Sequence, residues 1–180
     1  MRIIGGQFAG LRLQPPKNLP VRPTTDLAKE SLFNILQNRL DFDELVCLDL
    51  FAGTGNISFE LASRGAKFVQ AIDIHFKCLA YIQEITKKWN IDTIKTQKAD
   101  VLKFIGSDTS TYDLIFADPP YDLPQLPQLA NMILSNKLLS SDGILVIEHP
   151  STRKMEESVH FVETRKYGNS SFSFYQIKSL

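Results

Sequence analysis

The chain has 180 residues, 43% of them hydrophobic and 22% charged, and its 20 basic and 20 acidic side chains balance to zero net charge. That length suits one domain with a substantial core, and the balance excludes a protein that grips nucleic acid over its whole surface. No apolar run approaches the ~20 residues needed to span a bilayer, and Met1-Arg2-Ile3-Ile4-Gly5-Gly6 has no signal-peptide core, so a cytoplasmic protein is expected.

Residues 1–40 carry six cations (Arg2, Arg12, Lys17, Arg22, Lys29, Arg39) against Asp26 and Glu30, a net of +4 that leaves −4 for the rest. A basic arm on an acidic body suits phosphate contacts; scattered, solvated charge is the plain alternative. Arg2-Ile3-Ile4 and Leu11-Arg12-Leu13 flank Gly5, Gly6 and Gly10 and read as a small hairpin. Pro15, Pro16, Pro20 and Pro23 forbid regular structure and make an extended connector. Thr24 or Thr25 then caps a helix, with Asp26 in its first turn. Leu27, Ser31, Leu32, Ile35 and Leu36 give that helix a core-facing stripe, which places Arg22, Lys29 and Arg39 outside.

Leu45 to Leu50 is a short apolar run ended by glycines, the pattern of a buried strand. Gly53 and Gly55 allow a sharp turn, and Ile57, Phe59, Leu61 and Ala62 recur at helical spacing from Asn56 on. Strand, glycine loop and helix N-terminus together make a nucleotide-type site. Ser58 stands where the dinucleotide fingerprint requires a third glycine. Asp49, near the end of the strand and just before the loop, would repel a pyrophosphate and attract an ammonium or sulfonium group, which favours S-adenosylmethionine over NAD. A solvated strand-end carboxylate is the alternative.

Phe68 to Asp73 reads as a second strand ending in an acid placed to accept both hydroxyls of an adenosine ribose. Ile74, or Phe76 beyond it, can cover an adenine face. A helix through Leu79, Ile82, Ile85 and Trp89 follows, with Lys87 and Lys88 at its end. Thr93 to Lys98 is a third strand. Asp100 either accepts from the adenine amino group or caps the short helix through Phe104. Tyr112 to Ala117 is a fourth strand, delivering Asp118-Pro119-Pro120-Tyr121 at its carboxyl end. Cys47 and Cys78 read as reduced core thiols, and no metal-ligand spacing occurs.

Asp118 to Tyr121 carries chemistry. Two prolines stiffen the turn and remove N–H donors, leaving a carboxylate and carbonyl oxygens as acceptors. An acceptor-only cradle fits an exocyclic amino group, which has two N–H donors. Tyr121 can stack on a flat base. Asp-Pro-Pro also occurs as a mere strand-ending turn; Asp49, Gly53, Gly55 and Asp73 in the same chain favour the functional reading. Further on, Gly143 to Glu148 is a fifth strand, ended by His149-Pro150 with His149 as a polar loop residue. Val159 to Lys166 and Ser171 to Ile177 form a hairpin around Gly168-Asn169.

These pieces resemble a class I S-adenosylmethionine-dependent methyltransferase, and more closely the RsmD family, which methylates the exocyclic N2 of a guanine in small-subunit ribosomal RNA. The resemblance spans the chain. It rests on Arg2 to Gly6, Arg22 to Asp26, Glu30 to Asn34, Leu48 to Gly55 and Asp118 to Tyr121. It implies an α/β Rossmann-like fold: a mostly parallel seven-stranded sheet closed by an antiparallel carboxyl-terminal hairpin. Residues 1–40 would form an RNA-facing appendage on a methyltransferase domain of residues 41–180. It further implies cofactor contacts at Asp49, Phe51, Gly53, Gly55, Asp73, Ile74, Asp100 and Val101, and a target amine held by Asp118, Pro119, Pro120 and Tyr121. Arg2, Arg12 and Arg22 would approach ribosomal RNA, free or within an assembling small subunit. A monomer without metal is expected. Ala9, Leu11 and Leu27 stand where basic residues are usual in the family, which thins the RNA face. The same chemistry on another base, such as an adenine N6, an NAD-dependent oxidoreductase and a non-catalytic RNA-binding module are the alternatives.

Overall fold

The computed structural model describes residues 1–21 and 24–178. Helix α1 (Asp26–Gln37) starts at Thr25, whose side chain accepts from the Ala28 N–H. Strand β1 (Val46–Leu50), helix α2 (Asn56–Ser63), strand β2 (Phe68–Asp73), helix α3 (Phe76–Lys88) and strand β3 (Ile94–Lys98) follow. Then come helix α4 (Val101–Ser107), strand β4 (Tyr112–Ala117), helix α5 (Leu129–Ser135), and strands β5 (Leu139–Pro150), β6 (Phe161–Tyr167) and β7 (Ser170–Gln176).

The seven strands lie in the order β3-β2-β1-β4-β5-β7-β6. The first five pair in parallel; β7 runs antiparallel to both β5 and β6. This is the Rossmann-like sheet with a carboxyl-terminal hairpin that the resemblance implies. The central strands are apolar because helices cover both faces. One core, around Leu32, Phe33, Phe59, Val146 and Phe174, lies on one face. A second, around Leu48, Ile105, Ile115, Ile133 and Leu145, lies on the other. The chain winds outward from β1 in one direction and from β4 in the other, so the crevice between them is the topological switch point where open α/β sheets bind ligands.

Several sequence expectations are corrected. The amino-terminal hairpin is one antiparallel bridge, Arg2 to Arg12, flanked by Ile3 N–H to Leu11 O and Leu13 N–H to Met1 O, both 2.9 Å. Three glycines within nine residues leave too few side chains to extend the ladder. Ile3 and Leu13 still reach the core shared with α1. Strand β5 begins at Leu139, before Gly143, because pairing with β4 resumes after an irregularity. His149 lies inside that strand, buried, with Nε2 2.7 Å from the Ser173 Oγ. Helix α5 had no counterpart in the sequence reading.

Lys29 is not on the outside. Its ammonium is fully buried, donates to the Arg2 carbonyl and to Asn56 Oδ1 (2.9 Å), and lies 3.3 Å from the equally buried Glu60 Oε2. Glu60 also accepts from the N–H groups of Ile4 and Gly5 and from Arg64 Nε. A buried lysine is tolerable only with such partners, and burial still lowers its pKa below the ordinary value against the pull of Glu60. Arg39 is likewise engaged, paired with Glu163 and stacked over Phe174.

Candidate active site

A cleft of about 360 Å³ opens at the carboxyl ends of β1 and β4. Its lining includes Asp49, Phe51, Gly53, Asp73, Ile74, Asp100, Val101, Asp118, Pro119, Pro120 and Tyr121. Most residues singled out in the sequence therefore meet in one place. Gly55 does not line it: at φ +83°, a Cβ there would point at Ile82 and Phe59, 2.9 and 3.0 Å away, so this glycine serves helix packing. Arg22 lies outside the described residues. Arg12 is exposed on the amino-terminal arm, and Arg2 is 3.6 Å from Asp26, which offsets its charge.

The loop after β1 is left-handed at Phe51 (φ +61°), Gly53 (φ +55°) and Gly55. For a bulky residue such as Phe51 this conformation is strained, and strain of this kind concentrates at functional sites. Two of the loop's amides are spent internally. Gly53 N–H donates to Asp73 Oδ2 at 2.8 Å, and Gly55 N–H donates to the Ala52 carbonyl at 2.9 Å. A pyrophosphate would need those donors. The carboxylate of Asp73 accepts a second amide, His75 N–H, on Oδ1 at 2.8 Å. Each oxygen thus keeps lone-pair capacity toward the cleft, which fits two hydroxyl donors of a ribose.

Asp49 is buried at 2% exposure, and its Oδ2 accepts from Ser58 Oγ at 2.6 Å. It is not the solvated carboxylate of the alternative reading. Burial pushes its carboxyl up to about 7; the Ser58 bonds oppose this, and the charge of Asp73 adds to it. A buried carboxyl so placed favours a cationic ligand. Ser58 is therefore the partner of Asp49 as well as the missing third glycine. Asp100 takes the capping role: its Oδ1 accepts from Lys103 N–H at 3.0 Å, although the residue also borders the cleft.

On the opposite wall, Asp118 N–H donates to the Leu50 carbonyl at 3.3 Å, tying the end of β4 to the end of β1. The Pro120 carbonyl accepts from Leu123 N–H at 3.0 Å, and the Tyr121 carbonyl accepts from Arg153 at 2.8 Å. Among the described residues nothing donates to the Pro119 carbonyl, which stays available beside Asp118. Thr24 and Asn56 also border the cleft and were missed in the sequence. Thr24 Oγ1 donates to Glu148 at 2.7 Å, and Asn56 is the partner of Lys29. No local pattern marks either contact. Among the described residues, no three potential metal ligands come together, and no helix is long and apolar enough to cross a membrane.

The model of the family described as "Conserved hypothetical protein 95" matches residues 1–176. The ribosomal RNA small subunit methyltransferase D of Escherichia coli K12 is 32% identical over 153 residues, spanning 82% of this chain and 74% of its own. That of Haemophilus influenzae is 29% identical over 187 residues, spanning 98% and 93%. The chain belongs to the RsmD family of S-adenosylmethionine-dependent methyltransferases. The fold agrees. Escherichia coli YhhF superposes with a TM-score of 0.88 at 24% identity, covering 100% of this chain and 99% of its own. The Thermus thermophilus 16S rRNA N2 methyltransferase RsmC, in complex with AdoMet and guanosine, superposes with a TM-score of 0.71 at 20% identity, covering 88% and 45%. In this RsmD-family chain the glycine loop, Asp73 and the Asp118 turn thus occupy the switch point of a methyltransferase sheet.

Proposed function

We propose that the protein transfers a methyl group from S-adenosylmethionine to the exocyclic N2 amino group of a guanine in small-subunit ribosomal RNA. The observation that carries this reading is the meeting of Asp49 and Asp73 with an acceptor-only turn, Asp118 to Tyr121, in one cleft. The names of the RsmD relatives support the RNA.

The cofactor's groups fit the residues present. Asp73 would hold the ribose hydroxyls, with Gly53 and His75 fixing the carboxylate. Asp49, kept in place by Ser58, would face the cationic end. Ile74 and Val101, with Phe51, supply apolar walls for adenine, and Asp100 borders them. When bound, S-adenosylmethionine supplies an electrophilic sulfonium methyl. The remaining task belongs to the turn. The Asp118 carboxylate and the Pro119 carbonyl accept the two N–H groups of the amine, which orients its lone pair toward the cofactor side. As nitrogen gains positive charge in the transition state, the carboxylate stabilises it and takes the proton that must leave. Tyr121 stacks on the base. A guanine paired in a helix must be flipped out of the stack to reach this turn. Arg12 and Arg22, with the partly offset Arg2, would bring the amino-terminal arm to phosphates.

The protonation state of Asp49 gives a pH test. A cation binds better to the ionised carboxylate, so S-adenosylmethionine affinity should rise with pH through about 7 and level off above it. Between pH 8 and pH 6 the affinity should fall by roughly tenfold, one unit of titration. In Asp49→Asn this step should vanish, leaving only the ligand's own titration. Calorimetry on both proteins across that range decides it; superimposable profiles would remove Asp49 from the cationic end. The substrate is tested in the cell. Small-subunit RNA from a strain lacking this gene should have lost one N2-methylguanosine, and an unchanged set of methylated guanines would refute the assignment.

A further inference from the structure

We propose that Arg153, on the loop between β5 and β6, is a positioning residue that clamps the substrate-holding turn. The inference rests on reading Asp118 to Tyr121 as that turn. The Arg153 guanidinium donates through Nη1 to the Tyr121 carbonyl at 2.8 Å, and through Nη2 to the carbonyls of Leu123 (3.0 Å) and Pro124 (3.4 Å). One side chain therefore caps three carbonyls of the segment that directly follows Asp118.

The sequence of that segment makes an external donor necessary. Pro119, Pro120 and Pro124 have no N–H, so the chain from 118 to 124 can do little to tie itself together. The Leu123 N–H to Pro120 carbonyl bond, 3.0 Å, is one internal tie. A planar guanidinium offers five donors in a fixed fork, and its charge strengthens each bond to a carbonyl. A lysine ammonium at the same place could not span three carbonyls with the same rigidity.

The clamp is itself held. Arg153 N–H donates to the Pro150 carbonyl at 2.9 Å, at the end of β5. Ser151 N–H donates to Asn169 O at 2.9 Å and Glu156 N–H to Pro127 O at 3.0 Å, fixing the loop on both sides of Arg153. The turn is thus pinned at its start by β1, through Asp118 N–H and Leu50 O, and beyond Tyr121 by Arg153. Between the pins lie the Asp118 carboxylate, the Pro119 carbonyl, to which nothing among the described residues donates, and the Tyr121 ring. Three of its N–H bonds go to carbonyls of the turn and the segment after it, which is the basis for assigning Arg153 to the turn.

The test compares Arg153→Ala and Arg153→Lys with the wild type. Single-turnover methylation of small-subunit RNA at saturating cofactor should slow by about ten- to a hundredfold in Arg153→Ala, the usual consequence of a loosened reacting geometry. Arg153→Lys should fall between the two. Affinities for S-adenosylmethionine and for RNA should stay within about twofold. Hydrogen exchange of the peptide covering residues 118–126 should accelerate in Arg153→Ala, a readout independent of any activity. Should Arg153→Ala fail to fold, Arg153→Gln, which keeps one donor group, carries the same comparison. Unchanged exchange and an unchanged rate would overturn the clamp. So would a rate that holds while RNA affinity falls and its salt slope drops by about one, since that pattern marks a phosphate contact. If the wild type methylated no RNA, the functional reading would fall, while accelerated exchange would still establish the clamp.

Discussion

Asp118→Ala is expected to leave S-adenosylmethionine binding nearly intact and to lower turnover at saturating cofactor and RNA by about 10²–10³-fold, the usual scale for losing one preorganised group aimed at transition-state charge. Asp118 and Asp73 line the same cleft, and in the proposed mechanism the Asp118 carboxylate would engage only the amine. A free aromatic amine is a weak nucleophile because its lone pair is shared with the ring. In the proposed mechanism Asp118 would offset this by orienting the lone pair and by stabilising charge that exists only as the methyl is transferred, so its loss would fall in kcat. Asp118→Asn should be milder: the amide oxygen still accepts one hydrogen bond, but the charge and the proton acceptor are gone. Calorimetry and single-turnover methylation on the same preparations separate the two effects. A wild-type rate in Asp118→Ala would reduce the turn to a structural element.

Asp73→Ala should act at the other end of the cleft. The carboxylate already accepts the Gly53 and His75 amides at 2.8 Å, and the ribose hydroxyls would add two charge-assisted bonds. At about 1.5 kcal/mol or more each, their loss weakens cofactor binding by about a hundredfold or more. The same change strands the Gly53 N–H in the strained loop, so Asp73→Asn should recover part of the loss. Cofactor affinity within twofold of wild type in Asp73→Ala would place the ribose elsewhere.

Particular residues explain how much of this was legible in the sequence. Strands β2 and β4 begin and end where the sequence placed them, because parallel strands covered on both faces are predominantly apolar, here broken only by Gln70 and Asp113 before the acid at or beyond each end. The acids near, at or just beyond the ends of these strands, Asp49, Asp73 and Asp118, are carried to the carboxyl edge of the sheet by topology alone. Lys29 was misplaced because a charged residue in an amphipathic helix faces water by default, and Glu60, which makes its burial possible, lies 31 positions on. The Asp49–Ser58 and Arg153–Tyr121 contacts join separate elements and leave no periodic trace. Phe51 was implied by resemblance alone; its left-handed backbone is a tertiary demand of the loop, which sequence spacing does not record. Gly55 shows the converse. Its glycine pattern reads as a sharp turn, and the backbone there is left-handed, but the sequence does not show that an added Cβ would meet Ile82 and Phe59.

The most direct measurement of the central claim is nucleoside analysis of small-subunit ribosomal RNA from the strain lacking this gene, after incubation with the purified protein and methyl-labelled S-adenosylmethionine, beside a parallel reaction with Asp118→Ala. The account predicts that label appears as N2-methylguanosine at a single position with the wild-type protein and is reduced by about two orders of magnitude with the variant. Label in N6-methyladenosine, or equal labelling by the two proteins, would contradict it.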